Sequence, residues 1–326
     1  MPVILPYDDQ NIRRCADELR DGRVVAFATE TVYGLGADTF NADAVRRIYE
    51  LKGRPLDNPL IAHVIDLVGA KQVALDWDHR CNKLASRFWP GPLTMILARR
   101  PEVPLEAVAG LSTIAVRSPA HPLARSLLYA FGGPISAPSA NRSGHVSPTT
   151  AQHVADDFPD AEHLPVLDGG LAGFGIESTV VDLTSEVVRV LRPGSVTIDQ
   201  IRRVLGRAFA VEGTEQGISP GTAAVHYAPH RAALSIPATE LVERLKQLSD
   251  AGQRAAVLAL TPGIVPAPHQ AIVMPLDADA YARRLYQALR EADAVEVDCI
   301  VIETPPARDG VWMAVHDRLG RATRRA

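Results

Sequence analysis

The sequence predicts an α/β protein. Its N-terminal domain is expected to be a twisted mixed sheet flanked by helices with an open concave pocket, followed by a smaller C-terminal α/β domain with a mainly parallel sheet. Short apolar runs with the length of buried strands alternate with segments of helical periodicity. Some predicted strands follow one another without a helix between them, which indicates antiparallel neighbours in a mixed sheet. The chain of 326 residues is also longer than a single core usually supports.

The elements of the first domain follow from local patterns. Apolar residues at helical spacing predict a helix over residues 12–19, and the run 24–28 predicts a buried strand. A second helix covers residues 44–51, with Asn41 or Asp43 available as its cap. The other predicted elements are strands at 60–64, 94–98, 113–116 and 134–137, a helix at 123–131, a hairpin of 178–183 and 187–191, and helices opened by the capping-box pairs Thr149/Gln152 and Thr197/Gln200.

Composition changes after residue 206, where turn-forming residues become frequent. We therefore predict a first domain over residues 1–206, a linker over 207–232 and a smaller second domain over 233–326. The second domain is predicted to contain helices at 241–248 and 281–289 and strands at 255–260, 272–276 and 300–303. The arginines near the chain end are expected to form a frayed, solvated terminus: Arg318, Arg321, Arg324 and Arg325.

Composition and missing motifs exclude several classes of protein. The net charge of −4 argues against a broad non-specific nucleic-acid surface, although it is compatible with a local basic pocket. Three scattered cysteines support neither a zinc ribbon nor a disulfide framework, and Pro229 disfavours a helical ligand pair of His226 and His230. There is no P-loop and no complete dinucleotide fingerprint. With no signal peptide or membrane-spanning stretch, we expect a cytoplasmic protein. The missing ligand clusters predict no protein-bound metal.

Polar residues concentrate where predicted strands or helices end. The segment 29–36 leaves the first buried strand and is predicted to turn on its two glycines. Lys52 and Arg54 flank a glycine beyond the second helix. Either they form a solvated basic helix end, or they bind a polyphosphate, for which Arg offers a fork of donors and Lys a point charge.

Two further segments bear polar side chains at strand ends. Ser139 and Asn141 follow the strand at 134–137, where they either form an ordinary turn or contact a phosphate or ribose. Arg117 ends an otherwise apolar strand. Because an unpaired buried guanidinium is costly, Arg117 must be paired or must hold an anion.

Six motifs occur in a fixed order along the chain. They are Thr-Glu-Thr-Val-Tyr-Gly-Leu-Gly (29–36), Lys-x-Arg-Pro-x-x-Asn-Pro-Leu (52–60), Trp-Pro-Gly-Pro-Leu-Thr (89–94), Ser-Ala-Pro-Ser-Ala-Asn-x-Ser-Gly (136–144), Glu-Ser-Thr-Val-Val-Asp (177–182) and Leu-Arg-Pro-Gly (191–194). In this order the chain resembles the threonylcarbamoyl-AMP synthase family over roughly its first 205 residues. The linker and the second α/β domain are similar to the longer, two-domain form of that family.

The resemblance implies a reaction. L-Threonine and bicarbonate form a carbamate, and ATP then adenylates the carbamate and releases pyrophosphate. The product would feed the threonylcarbamoyl transferase machinery that acts on tRNA, so direct tRNA contact is allowed but not required. Mg²⁺ is expected on the triphosphate, held mainly by phosphate oxygens and water. No general base is assigned, because positioning alone can supply much of the acceleration.

The resemblance also implies roles for individual residues. The catalytic set is Lys52, Arg54, Ser139 and Asn141. The L-threonine side is lined by Thr31, His63, Arg117, Ala137 and Ser178. The ATP side is lined by Arg54, Asn58, Thr113, Ser139, Ser147, Arg192 and Tyr227. Without the resemblance, His63 would be interpreted as a core histidine, and Tyr227 as a loop aromatic instead of part of a lid that closes on ATP.

Two alternatives stay open at this stage. One is a carbamoyl-adenylate-forming relative from hydrogenase maturation, although the cysteines of its zinc-finger modules are missing here. The other is a non-catalytic RNA-binding module, against which the acidic total charge and the lack of interleaved basic and aromatic residues argue.

Overall fold

A computed structural model describes residues 1–207, 210–213 and 227–323. They form two compact units, one of residues 1–143, 147–207 and 210–213 and the other of residues 144–146 and 227–323. Most of the predicted linker, including His226, lies outside the described residues, as do Arg324 and Arg325. None of the helices in the described part of the chain has the length and apolar character needed to span a bilayer.

The first unit is built on a mixed sheet of 11 strands. The strands are β1 (Val3–Pro6), β2 (Val25–Phe27), β3 (Gly34–Asp38), β4 (Ile61–His63), β5 (Leu93–Ala98), β6 (Thr113–Arg117), β7 (Ile135–Ala137), β8 (Pro165–Asp168), β9 (Thr179–Asp182), β10 (Val188–Arg192) and β11 (Val211–Gly213). Their order is β1-β8-β2-β3-β7-β4-β6-β5-β9-β10-β11. Parallel pairs such as β4 and β6 occur beside antiparallel pairs such as β5 and β6, which confirms the predicted mixed sheet.

Seven helices and one 3-10 turn (Leu105–Val108) belong to this unit. The helices are α1 (Asp9–Arg20), α2 (Ala42–Lys52), α3 (Leu67–Val73), α4 (His79–Phe88), α5 (Pro122–Phe131), α6 (Ala151–Asp157) and α7 (Ile198–Leu205). The cap of α2 is Asn41, whose side chain accepts a hydrogen bond from the amide of Ala44 at 3.0 Å. The predicted capping box of α7 is present. The cap of α6 is Thr150, one residue after the predicted Thr149, because the Thr150 hydroxyl accepts the amide of His153.

The two glycines that were predicted to form a turn lie instead in strand β3, which pairs with β2. The turn is made earlier, where the Thr29 hydroxyl accepts the amides of Thr31 and Val32, both at 3.2 Å. The glycines are needed for close packing instead. A Cβ atom on Gly36 would lie 2.6 Å from a methyl carbon of Ile135.

This packing predicts different costs for two similar substitutions in β3. Gly36→Ala is expected to lower the free energy of unfolding by about 1–3 kcal/mol, because the new methyl overlaps Ile135 and the Phe27 ring. Gly34→Ala is the matched control, since its Cβ would lie 3.4 Å from its nearest neighbours and should cost less than about 1 kcal/mol. Urea unfolding of both variants measures the difference, and equal stability of the two would contradict the described packing.

The second unit is built on a sheet of four strands, β12 (Ala232–Ile236), β13 (Ala255–Ala259), β14 (Gln270–Val273) and β15 (Cys299–Glu303). Their order is β12-β15-β13-β14, and all three neighbouring pairs are parallel, which confirms the predicted parallel character. The helices are α8 (Ala238–Asp250), α9 (Ala278–Ala294) and α10 (Trp312–Ala322).

The predicted frayed terminus is wrong for the two arginines that the structure describes. Helix α10 includes both, and the side chain of Arg318 is fully buried. Its guanidinium donates to Asp317 at 2.7 Å and lies 5.5 Å from the ring centroid of Tyr227, while Arg321 also pairs with Asp317 at 2.9 Å. Tyr227 itself is buried in this unit and stacks on Tyr286 with the ring centroids 5.5 Å apart.

Candidate active site

Arg117 is held at the carboxyl end of β6 by a buried ion pair. Its guanidinium donates to Glu30 Oε1 at 2.5 Å, to Thr31 Oγ1 at 2.8 Å and to the carbonyl of Gly91 at 3.3 Å. The side chains of Arg117 and Glu30 are only 4% and 9% exposed. The sequence required this arginine to be paired or to hold an anion, and the structure shows the pair.

Glu30 is a site residue that the sequence analysis did not single out. Burial raises the pKa of its carboxyl, but the charge and hydrogen bond of Arg117 outweigh burial, so the net pKa lies below its usual value. The carboxyl is therefore ionised at neutral pH. A signal was present in the sequence, because Glu30 is the one charged residue between Arg23 and Asp38, in a segment that is otherwise apolar or small.

The Thr31 hydroxyl, itself held by Thr29, orients a second N–H group of the Arg117 guanidinium. The Thr29 hydroxyl donates its one proton to the carbonyl of Val32 at 2.5 Å, so it can only accept hydrogen bonds from other groups. The Thr31 hydroxyl, 2.9 Å away, must then donate to Thr29, which leaves its own oxygen to accept from Arg117. The result is a directed chain of hydrogen bonds that fixes the rotamers of all three side chains.

His63 lies beside this pair because β4 is hydrogen-bonded between β6 and β7. It is in register with Arg117 on one side and with Ile135 on the other. Its Nδ1 donates to the carbonyl of Ile61 at 3.1 Å, which leaves Nε2 as an acceptor. Burial and the nearby Arg117 charge lower the pKa of His63 to about 4, so the ring is neutral at pH 7.

Lys52 joins the end of α2 to the loop after β7. Its Nζ donates to the carbonyl of Ser139 at 2.7 Å and to the carbonyl of Asn141. Complete burial, with a further contribution from the Arg54 charge, lowers the Lys52 pKa well below its ordinary value. Because burial and the Arg54 charge both disfavour the ammonium form of Lys52, a bound polyanion would stabilise that form strongly.

Arg54 is fixed on the next loop by the backbone that follows it. Its guanidinium donates to the side-chain oxygen of Asn58 at 2.6 Å, to the Asn58 carbonyl at 3.0 Å and to the carbonyl of Pro59 at 2.9 Å. Gly53 between Lys52 and Arg54 adopts a left-handed conformation with φ of 59°, which ends α2 and turns the chain.

The loop after β7 lies against the 29–36 segment. The amide of Ala140 donates to the Tyr33 carbonyl at 2.8 Å, and Ser139 forms an isolated bridge with Gly34. Asn141 is buried and donates to the carbonyl of Arg142 at 2.8 Å. Ala137, the last residue of β7, pairs with Ile61 of β4, the strand that also carries His63.

A fourth cation, Arg192, is held near the start of β9. Arg192 donates to the hydroxyl of Ser178 at 3.1 Å and to its carbonyl at 3.0 Å, and the same hydroxyl lies 2.7 Å from that of Thr94. The hydroxyl of Ser147 donates to Glu177 at 2.6 Å. Thr94 and Glu177 were not among the predicted site residues, although both lie inside the quoted motifs.

Direct contacts therefore join the predicted residues into groups. The first group contains Arg117 and Thr31, with His63 in register beside them. The second contains Lys52 and the loop of Ser139 and Asn141. The remaining contacts are three pairs: Arg54–Asn58, Arg192–Ser178 and Ser147–Glu177. Thr113 contacts none of these groups through a side-chain hydrogen bond that the structure describes, and it lies at the opposite end of β6 from Arg117. It begins β6, about 13 Å from Arg117 at the other end, given the rise of an extended strand.

The charges of this unit favour anions. Among the described residues, its buried basic and acidic side chains, His63 apart, are four cations and two carboxylates: Lys52, Arg54, Arg117 and Arg192, with Glu30 and Glu177. The two carboxylates are bonded to Arg117 and to Ser147. Within the described ranges, no cluster of three His, Cys, Asp or Glu side chains is placed to bind a metal ion.

Comparisons with known proteins agree on one family. Residues 17–194 match a family model described as "Telomere recombination", and residues 196–323 match one described as "Threonylcarbamoyl-AMP synthase, C-terminal domain". A Bacillus subtilis protein named threonylcarbamoyl-AMP synthase is 42% identical, covering 98% of this chain and 94% of that protein. A Pyrococcus abyssi protein of the same name is 38% identical, covering 97% of this chain and 95% of that protein.

Solved structures show the same likeness. The crystal structure of P. abyssi Sua5 complexed with L-threonine has a TM-score of 0.90 at 36% identity, covering 99% of this chain and 97% of that one. The crystal structure of T. kodakarensis HypF is 20% identical with a TM-score of 0.51, and the match covers 59% of this chain but 25% of that one. At this low identity, the similarity to T. kodakarensis HypF shows a shared fold and nothing more.

Proposed function

The chain belongs to the threonylcarbamoyl-AMP synthase family, and from this membership we propose that it makes threonylcarbamoyl-AMP. L-Threonine and bicarbonate form a carbamate with loss of water, and the carbamate oxygen then attacks the α-phosphate of ATP and displaces pyrophosphate. The observation that supports this proposal best is the buried Arg117, held in one orientation in a unit that buries three further basic side chains.

The threonine carboxylate is assigned to Arg117. A guanidinium has five N–H donors, and three of them are used by Glu30, Thr31 and Gly91. Two donors have no acceptor among the residues that the structure describes, which is the number needed to bind a carboxylate. Lining by Thr31, His63, Ala137 and Ser178 stays a proposal from the family pattern.

The triphosphate is assigned to the cations of the other groups. Lys52 and Arg54 would stabilise the charge that develops as AMP is transferred, because both are fixed by backbone carbonyls before the substrate arrives. Ser139 and Asn141 would orient the phosphates. The remaining nucleotide contacts are proposed for Asn58, Thr113, Ser147, Arg192 and Tyr227.

Mg²⁺ is proposed to accompany ATP. Because Glu30 and Glu177 are bonded to Arg117 and Ser147, phosphate oxygens and water would supply most of its ligands. The ion would neutralise triphosphate charge. The side chains named above bind and orient the two substrates, which can account for much of the acceleration without a general base.

A test of the reaction uses purified full-length protein with ATP, Mg²⁺, L-threonine and ¹³C-bicarbonate. Mass spectrometry should detect threonylcarbamoyl-AMP with one added mass unit, together with pyrophosphate, and neither without threonine. A parallel reaction with ammonium carbamate in place of threonine and bicarbonate tests the carbamoyl-adenylate alternative, which the formation of carbamoyl-AMP and pyrophosphate would favour. Salt-sensitive RNA binding without ATP turnover would favour the RNA-binding alternative and overturn the proposal.

The depressed pKa of Lys52 predicts that ATP binding is coupled to proton uptake. Burial keeps the pKa of this amine well below its ordinary value in the free protein, and a triphosphate beside it is expected to raise the pKa again. Calorimetric titrations with ATP in two buffers of equal pH and different ionisation enthalpy should therefore differ. The difference should be smaller for Lys52→Met, and identical enthalpies in both buffers for the unmodified protein would contradict the assignment.

A further inference from the structure

We propose that Glu30 binds the α-ammonium group of L-threonine while Arg117 binds its α-carboxylate. This inference rests on the proposed function and names a second anchor for the same substrate. An amino acid presents an ammonium and a carboxylate on one carbon atom. A buried glutamate and arginine whose charged atoms are 2.5 Å apart present the complementary charges side by side.

The hydrogen-bonding groups of Glu30 and Arg117 that remain available match the ammonium and the carboxylate of an amino acid. Oε2 of Glu30 is buried and has no hydrogen-bond partner of normal geometry among the described residues, although Oε1 accepts from Arg117 and the backbone amides of Glu30 and Ala120 also help to lower the pKa of the carboxyl. Leaving a buried carboxylate oxygen without a donor costs free energy. An ammonium donating to Oε2 and a carboxylate accepting the two remaining N–H groups of Arg117 would satisfy both partners at once.

The neighbouring polar groups are poorer acceptors for a cation. The Thr31 hydroxyl oxygen already accepts from Arg117 and its proton is directed to Thr29. His63 is neutral, so its Nε2 offers a lone pair without a charge. Glu30 is the acceptor of this group that is ionised at neutral pH, because Arg117 keeps its pKa low.

The ion pair would also set the substrate's orientation. A carboxylate bound by Arg117 alone leaves the molecule free to rotate about its bond to the α-carbon. A second, oppositely charged contact at Glu30 fixes the nitrogen as well, and with it the atom that becomes bonded to the bicarbonate carbon. Glu30 thus contributes to substrate selection by requiring an α-amino acid.

The experiment compares two ligands by calorimetry without ATP: L-threonine and (2S,3R)-2,3-dihydroxybutanoate, in which a hydroxyl replaces the ammonium. The unmodified protein should bind threonine more tightly. Glu30→Gln should weaken threonine binding about 10- to 100-fold, the range for a charge-assisted hydrogen bond, and should leave binding of the dihydroxybutanoate nearly unchanged. Glu106→Gln is the matched control, since Glu106 is a partly exposed carboxylate paired with Arg46, and it should change neither affinity.

The outcomes separate this inference from the proposed function. If the unmodified protein binds no threonine, the proposed function fails. If it binds threonine and Glu30→Gln weakens both ligands equally, Glu30 only orients Arg117 and the inference alone is overturned. Should Glu30→Gln fail to fold, Glu30→Asp withdraws the carboxylate by about one bond length. The preference for threonine over its hydroxy analogue should then shrink, and an unchanged preference would overturn the inference.

Discussion

Arg117→Ala is expected to lower kcat/KM for L-threonine by roughly 10³-fold. The substitution removes the proposed contact to the threonine carboxylate and leaves the Glu30 carboxylate buried without its partner. For the second reason it should also lower the free energy of unfolding by about 3–5 kcal/mol. Initial rates of threonylcarbamoyl-AMP formation at varied threonine, with denaturant unfolding of the same samples, measure the two effects.

A double variant separates the loss of function from the loss of stability. Glu30→Gln with Arg117→Met removes both charges and should recover most of the stability, because no buried ion is left unpaired. It should remain inactive. Arg125→Met is the control for losing an arginine elsewhere, since Arg125 bonds to the carbonyl of Ile65 and has no proposed contact with substrate. An active double variant would contradict the role of Arg117.

Lys52→Met is expected to slow AMP transfer by about 10²- to 10³-fold. The amine that faces the developing phosphoryl charge is lost, whereas threonine affinity should change little because Lys52 does not contact the Arg117 group. Stability should also change little. The variant removes the cost of burying an amine but leaves the carbonyls of Ser139 and Asn141 without this donor, and the two effects oppose each other.

Single-turnover measurements of AMP transfer at saturating ATP test this second prediction. Lys71→Met is the matched control, because Lys71 is an exposed lysine in the last turn of a different helix. The control should react at the rate of the unmodified protein. A Lys52→Met rate within a few-fold of that value would show that the ammonium does not stabilise the transferring group.

Features of the fold that depend on neighbouring residues were predictable. The apolar face of α1 follows from 3.6-residue periodicity, and the cap at Asn41 and the capping box of Thr197 and Gln200 involve residues only three apart. The requirement that Arg117 be paired also followed from its place in an apolar strand. The identity of its partner did not, because Glu30 is 87 residues away along the chain.

Two of the wrong predictions share one physical cause, which is packing against distant segments. Gly34 and Gly36 suggest a turn by composition, yet Gly36 is required because Ile135 packs against β3. The position of Arg318 near the chain end suggests a solvated side chain, yet in the structure it packs against Tyr227, which is far away in the sequence. In each case the local pattern was compatible with two structures, and a contact that the sequence does not display selects one of them.

The position of β8 between β1 and β2 has a consequence for synthesis on the ribosome. The first two strands leave the exit tunnel early, but the strand that joins them is translated more than a hundred residues later. At ordinary elongation rates this is a wait of roughly 10–30 s. Until Asp168 has emerged, one hydrogen-bonding edge of the apolar strand Val25–Phe27 lacks the partner it has in the folded protein, and an unpaired edge of this kind favours aggregation.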